Sequence, residues 1–375
     1  MTVDTKLRRW LASSGGAPRG PFFGILPPAI LLVTGLLVIA ALLAALGFPP
    51  LGAMHALWEG SVGSFYALTS GTLVRATPLI LTGLSVAVAF RAGVFNVGAE
   101  GQLLAGAAAA AAVGVLAGRS LGALAPPVEL LAGVLAGTLW AGIAALLRAR
   151  FGVLEVISTI LLNFIAAYLV AYLVRGPLQE PLHIYPQSSS LIDSARLPRI
   201  LPGARLHAGF PLALAAAAAV WWVVRATAAG FRLRAVGANP DAARVAGEID
   251  ATRTAARAFL VSGAIAGLAG ASELTGVTFA LYENLSPGYG YSGIAVALLA
   301  RLNPLGVIAS GVVFGALESG ASAMQRDAGV PSVVVSIAEA VIIILLVLFW
   351  RRPVDGTASA VGAAVATSSE VQREQ

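Results

Sequence analysis

The sequence predicts an all-α, polytopic membrane protein of about ten transmembrane helices, arranged as two halves of inverted topology. Three observations predict it. Of 375 residues, 58% are hydrophobic and only 11% are Asp, Glu, Lys or Arg, where a soluble domain carries about 25% charged residues. Apolar runs long enough to cross a hydrocarbon core of roughly 30 Å, which takes about 20 helical residues, recur down the whole chain. The 24 Lys and Arg then fall unevenly on the connections between those runs.

In order, the clear runs are Ile25–Leu46, Thr72–Phe90, Gly101–Ala117, Val128–Leu147, Leu154–Val174, Gly209–Val224, Ala258–Phe279, Pro304–Met324 and Pro331–Trp350. A tenth segment, Gly288–Ala300, is short and interrupted by glycines. The first run follows Lys6, Arg8 and Arg9 as a signal peptide would, but about 22 apolar residues exceed a cleavable h-region and no clear cleavage site follows, so it reads as a retained anchor. Residues 1–24 are then a cytoplasmic N-terminal segment and 25–350 the membrane domain, with an external loop at 175–208 and a cytoplasmic loop at 225–257. The tail 351–375, mostly Ala, Ser, Thr and Gly with no periodicity, reads as disordered and cytoplasmic.

Counting basic residues orients the spans. With ten crossings and both termini inside, 17 Lys and Arg face the cytoplasm and seven (Arg75, Arg119, Arg175, Arg196, Arg199, Arg205, Arg326) face outward. Dropping Gly288–Ala300 would move Arg351 and Arg352 outside, so the charge rule retains it. Spans two to five begin outside and seven to ten begin inside, the layout of an inverted repeat.

Much chemistry is excluded. No Cys removes disulfides and thiolate ligands, and the single Lys, Lys6, supplies no P-loop. GYGYSG at Gly288–Gly293 matches G-x-G-x-x-G but lacks the strand context that motif requires. His55, His183 and His207 lie far apart, and we read them as surface or loop residues rather than a metal site. The basic excess lies between apolar runs, so it is not a nucleic-acid footprint. We expect no enzyme. Gly133/Gly137, Gly263/Gly267 and Gly311/Gly315 suit close helix packing in lipid.

Polar groups inside apolar sequence are the functional candidates. The densest set is FRAGVFNVGAEGQ, Phe90–Gln102. Asn96, Glu100 and Gln102 there read either as a broken helix lining a pathway or as a cytoplasmic turn; we adopt the broken helix. Glu155 and Asn163, eight residues apart, fall within roughly 80° on one helix. In the second half Glu273, Tyr282, Glu283, Asn284, Pro287 and Tyr289 surround the glycine-broken segment, and Glu318 and Glu339 are further acids in apolar runs.

The loop 225–257 holds six arginines, and within it Asn239–Pro240 starts a short helix. Asn239 serves as N-cap and Pro240 opens the first turn, with Asp241 at the positive end of the dipole. Ala242, Ala243 and Ala246 give a small smooth face and Gly247 ends it. Such a helix can dock in a partner's groove; a plain positive-inside loop would explain the arginines but not the cap.

These residues resemble a known family. GANPDAARVAG, Gly237–Gly247, resembles the coupling loop of permease subunits of ABC importers handling branched-chain amino acids, simple sugars and nucleosides. FRAGVFNVGAEGQLLAGA (Phe90–Ala107), EVISTILLNFIA (Glu155–Ala166) and PGYGYSGIAVALLARLNPLG (Pro287–Gly306) resemble its nucleoside-type branch, and the blocks occur in order between about Gly60 and Trp350. The simple-sugar branch typically carries a Gly-Gly-Ile-Asp-Leu-Ser type block where this chain has VFNVGAEGQ.

The resemblance implies a type II importer-like permease in a bacterial inner membrane. Its expected partners are membrane lipid, a second permease copy or paralogue, a cytoplasmic ATPase subunit and an external substrate-binding lipoprotein. The chain itself would hold no cofactor, with ATP and Mg on the ATPase. It implies Asn96, Glu100, Gln102 and Asn163 as pathway candidates, and Gly237, Asn239, Pro240, Ala242, Ala243 and Gly247 as the ATPase-coupling element. Ala243→Arg is then expected to spare insertion and abolish substrate-stimulated ATP hydrolysis. A simple-sugar permease and an ion-coupled secondary transporter are the alternative readings; a secondary transporter would not need the capped inner helix.

Overall fold

The computed structural model describes residues 22–247 and 249–331, together with 334, 337 and 340. The chain divides into two compact units, Met1–Pro50 with Val333–Gln375, and Leu51–Ser332. In the first, the described residues form helix α1, Phe22–Ala45, closed at Gly47 with φ of 83°. Most of the expected run Pro331–Trp350, Glu339 and the tail 351–375 lie outside the described residues.

The second unit is helical, with three isolated bridges and no longer strand among its described residues. Its helices are α2 (Pro50–Ser61), α3 (Leu73–Arg91), α4 (Ala99–Leu121), α5 (Ala125–Phe151), α6 (Glu155–Arg175), α7 (Gly209–Ala226), α8 (Ala228–Ala238), α9 (Pro240–Gly247), α10 (Ala251–Glu273), α11 (Tyr289–Leu299) and α12 (Pro304–Ala328). A π-helical turn, Ala67–Thr72, leads into α3 and another, Leu274–Thr278, extends α10. Six apolar helical stretches among the described residues are long enough to cross a membrane: Ala67–Arg91, Ala99–Phe151, Glu155–Arg175, Gly209–Ala226, Ala251–Thr278 and Pro304–Ala328.

Two of the sequence expectations meet geometry here. Ala99–Phe151 is 53 residues, about 80 Å as one rod, but the turn Gly122–Leu124 folds α5 back along α4. Gly288–Ala300 becomes α11, whose 11 residues rise only about 16 Å, roughly half the hydrocarbon core. As a helix alone it is too short to span that core.

α5 shows which solvent shaped the chain. Its buried stripe is Glu129, Gly133, Gly137, Ala141 and Ala144, while Leu131, Leu135, Leu139 and Leu146 point outward. In water the leucines would face in; in lipid, outward leucines cost nothing and small residues let backbones approach. The two glycine pairs do so directly. A methyl on Gly267 would overlap the Gly133 carbonyl, and one on Gly263 the Gly137 carbonyl. Gly311 and Gly315 likewise sit against the backbone of α3 at Ile80 and Ala76. α10 therefore packs against α3, α4 and α5 as the centre of the unit.

The segment 176–208 is an ordered cap over one end. Its backbone donates from Ser188 to Leu281 O (2.8 Å), from Leu191 to Phe279 O (2.7 Å) and from Leu197 to Thr275 O (2.9 Å). Arg196 lies 4.6 Å from the Phe279 ring centroid, and Arg175 pairs with Glu283.

His207, expected as a surface or loop residue, lies in this cap loop but is fully buried there. Its Nδ1 accepts from the Gly209 N–H at 3.2 Å, and its Nε2 has no partner among the described residues. Burial, then the neighbouring Arg205, lowers its pKa to about 4. The unfolded chain, with His near 6.5, takes up a proton that the folded state refuses. Stability is therefore flat above pH 6.5 and falls as pH drops toward 4, by up to about 3 kcal/mol from this group. Thermal unfolding followed from pH 7.5 to 4.5 is expected to show that fall, and His207→Gln to flatten it.

Candidate functional site

Two interruptions of the helical backbone meet inside the second unit. The first spans residues 92–98, between α3 and α4. Gly93, at φ of 73°, turns the chain; Val94 and Asn96 point inward and Phe95, 54% exposed, points out. The second runs from Phe279 to Gly288, between the π turn and α11. Both ends are left-handed, with φ of 57° and 104°.

The four pathway candidates cluster here in three hydrogen-bonded sets, and all four are buried. The Asn96 and Gln102 amides pair reciprocally at 2.9 and 3.1 Å. Asn96 Nδ2 also donates to Ser262 Oγ of α10 (2.8 Å), and its Oδ1 accepts from the Gly98 N–H (2.9 Å). Asn163 of α6 accepts from the Gly101 N–H (2.8 Å) and donates to Val97 O (2.9 Å) and Tyr291 Oη (3.1 Å). Glu100 Oε2 accepts from the Gly290 N–H at 2.6 Å, placing a carboxylate at the positive end of α11.

Side chain after side chain thus replaces the hydrogen bonds that the broken backbone gives up. The close packing is sterically enforced: a methyl on Gly290 would overlap the Glu100 backbone. What faces open space beside the cluster is Phe95 and Tyr291, the latter 43% exposed. Neither was singled out from sequence, where an aromatic in an apolar run carries no signal.

Glu155 does not join Asn163. It forms an ion pair with Arg148 at 2.8 Å and receives the Phe95 N–H at 3.4 Å. Glu273 is buried near Arg75, Arg205 and Tyr289, toward the cap end. Glu129, missed in the sequence, is wholly buried with both carboxylate oxygens unpartnered among the described residues.

The loop 225–257 is built by three caps. Thr227 Oγ1 accepts from the Gly230 N–H (3.1 Å) to start α8. Asn239 Oδ1 accepts from the Asp241 and Ala242 N–H groups, both 3.0 Å, to start α9. Asp250 Oδ1 accepts from the Arg253 N–H (2.9 Å) to start α10. Pro240 occupies the first turn of α9 and Gly247 its last position.

The face of α9 differs from the one expected. Ala243 is only 7% exposed, packed with Val236, Ala251, Ala235 and Ile249. It cannot meet a partner, and an arginine there would unseat the helix. The outward side is carried by Ala242 and by Val245, which is 88% exposed.

Gly237 serves the seat of this loop rather than its outer surface. A methyl on it would overlap the Arg91 carbonyl oxygen, and its Cα lies 3.7 Å from where one on Gly93 would sit. The end of α8 therefore rests on the first break. Arg91 Nε in turn donates to Leu302 O at 2.7 Å. That carbonyl belongs to a strained turn, Arg301 and Leu302 both having positive φ, 51° and 56°, at about 1–3 kcal/mol each. A cavity of about 410 Å³, lined by Val94, Arg148, Glu155, Gly237, Arg244 and Phe259 among others, separates α9 from α5 and α6.

Comparison with known proteins identifies the family to which the chain belongs. The family model described as "Branched-chain amino acid transport system / permease component" matches residues 68–350. The chain is 39% identical to the glucose ABC transporter permease protein TsgB13 of Haloferax volcanii, over 87% of this chain and 88% of that protein. It is also 39% identical to the guanosine ABC transporter permease protein NupP of Bacillus subtilis, over 86% and 92%. Identity to the nucleoside ABC transporter permease protein NupB of Lactococcus lactis subsp. cremoris is 30%, over 93% and 98%. No solved structure matches.

Proposed function

We infer, because the chain belongs to the branched-chain amino acid transport system permease family, that it forms the membrane pathway of an ATP-driven importer of nucleosides. It is a transport subunit rather than an enzyme. ATP and Mg bind a cytoplasmic ATPase partner, a second permease subunit completes the pathway, and an external binding lipoprotein delivers the solute. The chain crosses the cell membrane about ten times, in two halves of opposite direction, with both termini cytoplasmic.

One observation carries the mechanism: α8, which leads into the capped helix α9, packs through Gly237 against the carbonyl of Arg91 beside the first break. Closure of the ATPases would push the outer face of α9 at Ala242 and Val245. The push passes through Val236 and Gly237 to Arg91 and Gly93, then to Leu302 through the Arg91 hydrogen bond. From Asn96 it reaches α10 through Ser262, and from Glu100 and Asn163 it reaches α11 and α6. Asn96, Glu100, Gln102 and Asn163 hold the pathway wall in shape, and Phe95 and Tyr291 present aromatic faces on which a nucleobase can stack.

Reconstituting the complex in proteoliposomes tests this reading. ATP-dependent uptake of guanosine, competed by uridine and not by glucose, is expected. Uptake of glucose alone would favour the sugar reading, which rests on the equal identity to the Haloferax volcanii permease. Uptake that continues without ATP but collapses with an uncoupler would contradict both.

A further inference from the structure

A second groove, of about 370 Å³ and almost wholly apolar, runs between α7, α8 and α10, away from both breaks. Its walls are side chains such as Ala216, Val220, Val261 and Ile265, and its mouth carries Arg232 and Arg257. Both arginines are exposed, and neither forms a salt bridge with an acidic side chain among the described residues.

Length and charge identify what fits. From Thr254 at the mouth to Ile265, α10 rises 11 residues, about 16 Å; that is the depth of one leaflet of a roughly 30 Å hydrocarbon core. The guanidinium groups stand at the end where the loop 225–257 emerges, and two unpaired guanidinium forks suit a phosphate. An apolar slot one leaflet deep with a cationic rim is complementary to a lipid carrying net negative charge. Water-soluble anions would use the rim and leave the slot empty.

We propose that this groove is a binding site for an anionic phospholipid of the cytoplasmic leaflet, one acyl chain lying against α7 and α10 and the headgroup phosphate held by Arg232 and Arg257. The site rests on the functional reading only for which end is cytoplasmic. A lipid so placed braces α8, the helix that ends at Gly237.

The test uses the permease–ATPase complex in detergent, incubated with equal amounts of phosphatidylglycerol and phosphatidylcholine of identical chains. Retained lipid is counted by native mass spectrometry. Wild type is expected to select phosphatidylglycerol, and the double variant Arg232→Gln/Arg257→Gln to lose that selection about thirtyfold. Ala219→Trp, which fills the slot from an exposed lining position, is expected to lose the bound lipid whatever its charge. Size-exclusion profile and basal ATP hydrolysis check assembly, and if the tryptophan variant does not assemble the exposed arginines still decide. Retention of phosphatidylglycerol by the double variant at the wild-type level overturns the proposal. So does displacement by inorganic phosphate alone, or a cross-link from Ala219→Cys to a cysteine placed in 353–375, which would make the chain's own tail the occupant. Each of these would leave ATP-driven uptake unaffected, so failure here is separable from failure of the transport reading.

Discussion

Val245→Asp is expected to leave the permease inserted and associated in the membrane but to abolish stimulation of ATP hydrolysis by substrate-loaded binding protein. Val245 is the most exposed large apolar side chain of the loop, and it packs against little among the described residues. A central apolar contact replaced by a charge costs an interface about 2–4 kcal/mol, enough to reduce coupling by thirtyfold or more. Ala242→Trp, on the same side of α9, is expected to act alike by steric exclusion. Ala243→Arg is the less informative variant, because Ala243 packs on Val236 and Ala251. ATPase assays on reconstituted complexes with and without loaded binding protein check the outcome. Undiminished stimulation in Val245→Asp would remove α9 from the coupling route.

Asn96→Leu is expected to have the largest effect within the membrane. Asn96 takes part in four hydrogen bonds, all buried, to Gln102 (twice), Ser262 and Gly98. Leucine leaves the Gln102 amide and the Gly98 N–H without partners in a place where water cannot replace them. At about 1–3 kcal/mol for each stranded group, the loss is about 2–6 kcal/mol, a large fraction of an ordinary stability. Asn96→Asp keeps the volume but sets an oxygen against Gln102 Oε1, so it too is expected to fail. Expression of the full complex, thermal unfolding and uptake read the effect. A variant as stable and active as wild type would mean that the 92–98 break does not depend on this network.

The contrast between those two sites shows what the sequence could carry. Spans were legible because the lipid solvent acts on every residue of a run, and the caps because Asn239 needs only the two N–H groups that follow it. The clustering of Asn96, Glu100, Gln102 and Asn163 was legible as polar residues in apolar sequence. Their partners were not, since Ser262 and Gly290 lie 166 and 190 residues away.

The face of α9 was misjudged for a similar reason. On an eight-residue helix of mostly small side chains, which side turns inward is decided by the chain that returns over it. Here Ile249 donates from its backbone to Ala243 O at 3.4 Å and closes that side. His207 carries no local mark of burial, because the Arg199 to His207 bridge and the end of α10 that enclose it are assembled from distant sequence. The half-length of α11 was visible as a short, glycine-interrupted run.

The central claim is that α9 is the surface on which an ATPase pushes. The chain has no cysteine, so Val245→Cys carries the sole thiol and can be labelled with a photoactivatable benzophenone maleimide. Illumination of the assembled complex is predicted to join position 245 to the ATPase subunit, and to leave unjoined a probe at Leu182→Cys, exposed in the 176–208 cap that the account places on the opposite side. No adduct at 245, or an ATPase adduct at 182, would contradict the account.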